Sequence, residues 1–510
     1  MKSLDYKFDF RDERNLSLVM DFYELTMSQC YFNSDHKDRV VTFDLFYRRN
    51  PDSGGYAVFA GLEEIIGYIQ NLHFEDSDIA YLRSLNRFND EFLEYLRHFI
   101  FTGDIFAVKE GTPVFPYEPL IRVKAKIIEA QLLETAMLLC VNHQTLIATK
   151  AKRIVKAAQG RAIMEFGARR AHNFDAANYG ARAAFIGGVA GTATTYAGQK
   201  FGMPVLGTMA HSFVQSFDCE YDAFLAYAKT YPDSCTVLLD TYNTLKSGLV
   251  NAIRVAKEYL EPNGYRLQGV RIDSGDMAYL SKKIRTALDA AGMEDCNIVI
   301  SNSLDEYLIQ SLISQGAQIN SMGVGENLVC SKSAPVFGGV YKMSSIFDGD
   351  TMIPKIKVSE NVEKVTNPGY KDLYRIYDKE SGKAVGDLMT IHKESLDPNR
   401  DLTIYHQMNS WKNKTIPGGS YVLRDLLDPI FLNGELVYEV PDLQEIRAYS
   451  EQEFSCMWDE ILRFEYPQTY YVDLSKQLLD LKLKMLEEIG RAPSELQSQA
   501  MSSYAVFCLK

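Results

Sequence analysis

The sequence has little of what marks an unusual environment. Eight cysteines, at 30, 140, 219, 235, 296, 330, 456 and 508, are spread over 510 residues. None forms a CxxC pair or a Cys/His spacing suited to zinc, so they read as small buried hydrophobes in a reducing compartment. No run approaches the ~18 apolar residues that a membrane-spanning helix needs. The opening stretch MKSLDYKFDFRDERN is polar and acidic, without the apolar centre of a secretion signal, which points to the cytoplasm. An excess of positive charge is missing too: 54 basic residues face 67 acidic ones, a net charge of −13. That balance argues against nucleic acid as the main partner, because a phosphate backbone needs basic stripes. An anionic small molecule needs only one local cationic pocket and stays compatible.

Familiar motifs are absent as well. The stretch GTATTYAGQK at 191–200 lacks the GK[ST] ending of a nucleotide-binding P-loop. No HExxH or GxSxG occurs, and GVGENL at 323–328 lacks the third glycine of GxGxxG. Metalloprotease, serine hydrolase and dinucleotide-dependent dehydrogenase readings lose their support. Low-complexity tracts and fixed-period repeats are likewise lacking. What remains is an ordinary globular composition, 46% hydrophobic and 24% charged, long enough for several domains.

Three regions differ in texture. Residues 13–145 mix helical patterns at 17–31, 61–70 and 90–99 with β-rich text at 40–47 and 118–125, before an apolar helix predicted over 127–146. Residues 346–510 return to β-rich text at 354–358, 373–377 and 384–391 and end in a helical tail. Both flanks together suggest one α/β outer domain. Between them, residues 146–345 carry alternating short apolar strands and amphipathic helices. The strands are predicted at RAIMEFG (161–167), PVLGTMA (204–210), TVLLD (236–240), GVRIDSG (269–275), NIVISN (297–302) and INSMGVG (319–325). Helices are predicted near 174–186, 219–230, 243–260, 277–291 and 304–315. Repeated βα units imply a parallel sheet. Six strands fall short of a full eight-stranded closure, so the expectation is an irregular, incomplete parallel β/α barrel.

In parallel α/β architectures the working residues stand beyond the carboxyl ends of the strands. Reading those positions gives Arg169 and Arg170, His211, Asp240, Arg271 with Asp273 and Asp276, Asn302, and Gly323 with Gly325. Thr208 and Ser212 place hydroxyls on either side of His211. Arginines fork onto phosphate, carboxylates hold Mg²⁺, and a glycine turn can offer backbone N–H groups to an anion. The set therefore suits an anionic, phosphorylated substrate with a metal. Structural roles fit the same residues: tight-turn glycines, a hydrogen-bonded histidine, and a salt-bridge network of Arg271, Asp273 and Asp276.

DFYELTM (21–27), EFGARR (165–170), GTMAHSFV (207–214), GVRIDSGD (269–276), SNSLDE (301–306) and GVGENL occur in the order found in nicotinate phosphoribosyltransferases. PKIKVSENVEKVTNPGYK (354–371) resembles that family's KxS…KxTxPGxK segment. The resemblance covers about residues 17–375. It implies a type II phosphoribosyltransferase, with an α/β outer domain against an irregular barrel. Such an enzyme joins nicotinate to phosphoribosyl pyrophosphate, releasing pyrophosphate, as the entry to NAD salvage. ATP hydrolysis is coupled through a phosphohistidine, placed by the resemblance at His211, with Asp240 beside it as a second catalytic candidate. Tyr23 of one subunit and Phe166 of the other would sandwich the pyridine ring, implying a homodimer with shared sites. Arg169 and Thr208 complete the nicotinate set. Arg271, Ser274, Gly275, Asn302, Gly323 and Gly325 would surround the phosphoribosyl and phosphate groups, and Asp273 with Asp276 would hold Mg²⁺.

Two details bear on substrate choice. Relatives that use nicotinamide place an aspartate in the segment aligned with GTATTYAG, where this chain has Ala193. An aspartate there would repel the nicotinate carboxylate, so its absence favours the acid; an alanine chosen for helix propensity is the plain alternative. Many family members carry a phosphate-binding threonine after GVG, where this chain has Glu326. A carboxylate beside phosphate is unfavourable unless it faces a metal or an arginine. The competing functions are nicotinamide phosphoribosyltransferase and a non-catalytic sensor that binds pyridine nucleotides.

Overall fold

A computed structural model describes residues 14–409 and 411–491; the opening stretch up to residue 13, Cys508 and the last part of the predicted tail lie outside the described residues. The chain divides into two compact units: Met1–Thr145 with Val336–Pro441 and Tyr449–Lys510, and Leu146–Pro335 with Asp442–Ala448.

The first unit is built on two largely antiparallel sheets. In the seven-stranded sheet, Val40–Phe46 pairs on one side with Ile121–Lys126 and on the other with Val340–Asp348, so the two flanks of the chain meet in its middle. Val41, Phe43 and Leu45 of that strand are buried, and Phe43 stacks on Tyr341. The six-stranded sheet centres on Lys371–Asp378 and Ala384–Ile391. Between them Arg375 and Asp387 form a fully buried ion pair at 2.7 Å. Tyr470 donates its hydroxyl to the same aspartate at 2.7 Å, which keeps the buried charges hydrogen-bonded. The apolar run at 127–146 is two helices, Ile127–Gln131 and Glu134–Ala157, with a break at Leu132 and Leu133.

The second unit carries a six-stranded, all-parallel sheet in the order Gly191–Thr192, Ala162–Glu165, Ser321–Val324, Asn297–Ser301, Gly269–Ile272, Thr236–Leu238. Strands of Ile, Val and Leu buried on both faces are what a helix-covered parallel sheet requires. The strand order is open, running from Gly191–Thr192 at one edge to Thr236–Leu238 at the other, an α/β layer of half-barrel extent. Helices Phe174–Ile186, Glu220–Thr230, Met277–Ala290 and Glu306–Ser314 follow the strands as the periodicity predicts. The helical run over 244–260 opens into π turns at Thr244–Gly248 and Ala256–Leu260. Its first turn sits so close to the end of strand Thr236–Leu238 that a Cβ on Gly248 would lie 2.0 Å from the Leu239 carbonyl oxygen.

Two predicted β segments are corrected. Of 354–358 only Pro354 lies in a strand, as the end of Thr351–Pro354. PVLGTMA is not a strand: only Val205 forms an isolated bridge, to Thr192. Pro204 has no N–H to give a ladder, and Val205 lies at the sheet edge, half exposed. The strand at that edge is the two-residue Gly191–Thr192, which also moves Ala193 out of any helix and into the turn before Thr195–Phe201. Among the described residues no helix is long and apolar enough to cross a membrane.

Candidate active site

Because the sheet is parallel, the carboxyl ends of its strands share one side, and a continuous hydrogen-bonded cluster forms there around Arg271. Its Nε donates to Ser301 Oγ at 2.9 Å, one terminal nitrogen donates to Thr208 Oγ1 at 3.1 Å, and the other to Asp273 Oδ1 at 3.1 Å. The Ser301 hydroxyl donates in turn to Asp273 Oδ1. A planar guanidinium with every edge engaged is a fixed cation, which a lysine on a flexible stem would not be.

Asp240 underpins the next segment. Its Oδ2 accepts the Asp273 N–H at 3.0 Å and the Ser274 hydroxyl at 2.5 Å. Its Oδ1 is buried without a hydrogen-bond partner. Gly275 follows at φ +85°, a conformation that suits glycine. Asp276 caps helix Met277–Ala290, its Oδ1 accepting the Tyr279 N–H at 2.9 Å, so only its second oxygen is left for a metal.

His211 opens the short helix His211–Gln215. Its Nδ1 lies 3.2 Å from Thr241 Oγ1 and its Nε2 lies 3.9 Å from Asp273 Oδ2. The imidazole is 41% exposed. It stands at the open mouth, one carboxylate away from Arg271, and not in aliphatic packing.

Phe166 forms another wall. Its N–H donates to the Val324 carbonyl at 2.8 Å, and its ring lies across Gly323 so closely that a Cβ there would be 2.3 Å from Cδ2. The Arg271 guanidinium carbon is 5.8 Å from the ring centroid. Below it, buried Glu165 accepts the Gly167 N–H and the Thr192 hydroxyl, the latter at 2.6 Å. Burial pushes the Glu165 carboxyl above its ordinary range. Its carbonyl also accepts the N–H of Ala193, whose side chain is exposed at the sheet edge.

Arg169 and Arg170 lie exposed on the turn Ala168–Arg170. Gly325 precedes the single helical turn Glu326–Val329. The Glu326 carboxylate faces two cations, Lys332 at 2.8 Å and Arg170 at 4.0 Å. Lys332 chiefly holds that carboxyl below its ordinary value. Strand Asn297–Ser301 ends in Asn302, at φ +94°.

Tyr23 belongs to the other unit, on helix Phe22–Phe32, and is 43% exposed. Burial, with the nearby Glu134 and Glu24 carboxylates, raises its phenol above the ordinary value, so the ring stays neutral. Glu24 is fully buried; Thr135 donates its N–H and hydroxyl to Oε1, and burial pushes the carboxyl up to about 7.

The structure thus gathers Thr208, His211, Asp240, Arg271, Asp273 and Ser274 into one network and sets Phe166 beside it. Sequence reasoning missed Ser301, Thr241 and Glu165. Ser301 stands immediately before the Asn302 already singled out, and Thr241 immediately after Asp240. Reading two residues at each strand end instead of one would have found both. Among the described residues no group of three or more His, Cys, Asp or Glu side chains is placed to hold a metal.

A parallel α/β sheet whose strand ends carry a braced arginine, paired carboxylates and an open histidine defines a class of enzyme suited to anionic, phosphorylated substrates. Comparison with known proteins narrows that class. Residues 161–415 match the family model described as the nicotinate phosphoribosyltransferase (NAPRTase) family, residues 18–142 its N-terminal domain and residues 370–482 its C-terminal domain. Nicotinate phosphoribosyltransferase of Bacillus subtilis is 43% identical over 97% of this chain and 100% of its own. The Homo sapiens protein of that name is 30% identical over 90% and 95% respectively. The crystal structure of human nicotinic acid phosphoribosyltransferase superposes with a TM-score of 0.81 at 28% identity, covering 91% of this chain and 99% of that one. The chain belongs to the nicotinate phosphoribosyltransferase family.

Proposed function

We propose that this protein is a nicotinate phosphoribosyltransferase, forming nicotinate mononucleotide and pyrophosphate from nicotinate and phosphoribosyl pyrophosphate, with ATP hydrolysis coupled through His211. The observation that carries the reading is the Arg271–Ser301–Asp273 network with His211 at its mouth, in a chain 43% identical to a named enzyme over nearly its whole length. The sheet is read as the incomplete β/α barrel of that family.

The pyridine nitrogen attacks the anomeric carbon while its bond to pyrophosphate breaks, through an oxocarbenium-like state. Positioning and electrostatics supply the catalysis. Phe166 offers one face to the flat pyridine ring. Tyr23 of a second copy offers the other, which makes the working form a homodimer. Arg271 and Arg169 meet the carboxylate or phosphate, beside Thr208. Ser274, Gly275, Asn302, Gly323 and Gly325 lie along the phosphoribosyl side. Ala193 leaves the sheet edge without the carboxylate that would repel an acid, which favours nicotinate over nicotinamide.

The donor set fits Mg²⁺, an ion that is held by one or two carboxylates plus substrate phosphates and keeps several waters. Asp273 and the buried Oδ1 of Asp240, which has no hydrogen-bond partner, would hold it together with the substrate phosphates; Asp276 caps its helix and does not complete a set of three. When bound it supplies charge neutralisation to the departing pyrophosphate.

With the proton on Nδ1 directed at Thr241 Oγ1, the Nε2 lone pair of His211 is free. It attacks the γ-phosphorus of ATP; the N–P bond forms, the P–O bond breaks and ADP leaves. Water later cleaves the N–P bond and returns phosphate. The added charge, about −1.5 to −2 for a phosphoryl group, sits next to Asp273 and reorders the surrounding loops in favour of phosphoribosyl pyrophosphate. Seven free cysteines among the described residues agree with a reducing, cytoplasmic setting.

The test is pyrophosphate release with nicotinate or nicotinamide, with and without ATP, in the wild type and His211→Ala. Release that depends on nicotinate, is stimulated by ATP in the wild type and is indifferent to ATP in the variant is the expected result. A preference for nicotinamide, or ATP stimulation that survives in the variant, overturns the reading.

A further inference from the structure

The mouth carries a device whose two halves lie in the segments SNSLDE and GVGENL. Strand Asn297–Ser301 runs into two consecutive non-glycine residues with positive φ, Asn302 at +94° and Ser303 at +43°. L-residues adopt such backbone unwillingly, and it persists only where the surroundings over-determine it. Both ends of this turn are fixed. Upstream, Ser301 is held between Arg271 and Asp273. Downstream, Asp305 caps helix Glu306–Ser314, and Glu306 is buried against Lys150 at 2.9 Å and Arg153 at 2.8 Å. The turn itself is gripped by one side chain. The Asn327 amide nitrogen donates to the Ser303 carbonyl at 2.8 Å and to the Leu304 carbonyl at 3.1 Å. Asn327 lies two residues beyond Gly325, on the turn Glu326–Val329 that closes the glycine loop. Ser303 donates its hydroxyl to Asn302 Oδ1 at 3.1 Å, which orients the Asn302 amide.

We propose that Asn327 is a positioning residue that clamps the Asn302–Leu304 turn to the Gly323–Gly325 loop, so that the two backbone segments facing phosphoribosyl pyrophosphate are held as one rigid cradle. The inference rests on the reading that these segments contact that substrate. Preorganisation of this kind acts on substrate binding more than on the chemical step, because Asn327 touches no reacting atom. The amide is specifically required: aspartate has the same shape but no N–H to donate, and would set a carboxylate against two carbonyl oxygens.

The test compares the wild type, Asn327→Ala, Asn327→Asp and the double variant Asn327→Ala/Ser303→Gly. Both single variants should raise KM for phosphoribosyl pyrophosphate roughly tenfold, with kcat within about twofold and KM for nicotinate unchanged. Glycine adopts φ +43° more readily than serine but lacks the hydroxyl that orients Asn302, so the double variant should recover only part of the lost affinity. Amide hydrogen exchange at residues 302–305 should quicken in Asn327→Ala. An active wild type beside an Asn327→Ala variant with unchanged KM and unchanged exchange overturns the clamp. So does a loss of kcat that Ser303→Gly leaves unrelieved. If the wild type releases no pyrophosphate, the proposed function falls, while the exchange measurement still decides the clamp.

Discussion

Glu326 and Lys332 form an ion pair at 2.8 Å immediately beyond the glycine loop, with the Arg170 guanidinium 4.0 Å from the same carboxylate. The carboxylate thus occupies two cations at the position where many members of the family carry a phosphate-binding threonine. Glu326→Thr should free both and lower KM for phosphoribosyl pyrophosphate about two- to fivefold, an effect that fades as salt screens these exposed charges. Steady-state kinetics at low and high ionic strength check it; a raised KM would mean that the carboxylate itself helps to hold the substrate.

Gly323 gives the Phe166 ring its place. A Cβ 2.3 Å from a ring carbon cannot coexist with the ring where it lies. Gly323→Ala should displace the ring and raise KM for nicotinate by roughly tenfold or more, with a smaller effect on phosphoribosyl pyrophosphate. Separate titration of the two substrates distinguishes this from general damage to the fold.

Arg271 makes three directional contacts that a lysine cannot reproduce. Arg271→Lys should reduce kcat/KM for phosphoribosyl pyrophosphate by about a hundredfold. Ser301→Ala, which removes only the shared hydroxyl, should cost about tenfold. Near-wild-type kinetics for Arg271→Lys would show that charge alone suffices there.

Glu24 gives a pH signature. Its folded carboxyl titrates at about 7, against an ordinary value of 4.5. Between these values the folded state keeps a proton that the unfolded state has lost, so this group's stabilisation is complete below about 4.5 and disappears as pH rises through 7. Glu24→Gln cannot ionise. Relative to the wild type it should gain up to about 3 kcal/mol between pH 4.5 and 7.5, and no more above that. Urea melts across that range measure the difference; a difference independent of pH would place the carboxylate in an ionised state throughout.

Much of the second unit was legible because parallel strands buried on both faces leave dense apolar runs, and the polar residue ending each run is conspicuous. Asp240, Arg271 and Asp273 were found in that way, whereas His211 was read from the end of PVLGTMA, which is not a strand. The same reasoning failed at PVLGTMA, where an apolar composition met a proline at a sheet edge. It also passed over Gly191–Thr192, because two residues carry no periodicity. Ser301, Glu165 and Asn327 act through partners that only the fold brings near, as Thr208 meets Arg271 across 63 positions of sequence. Glu326 was recognised as out of place, but its cations, six residues ahead and 156 behind, could not be read from spacing.

The second unit is not one continuous piece of chain: its last component is Asp442–Ala448. There Arg447 donates to the carbonyls of Val189 at 3.0 Å and Gly188 at 3.2 Å, with its guanidinium 4.7 Å from the Phe185 ring centroid. During synthesis, the layer that begins at residue 162 must wait nearly 300 residues for this final brace. A nascent chain halted before Arg447 would expose the bare loop ahead of Gly191–Thr192 to whatever proteases and chaperones surround the ribosome.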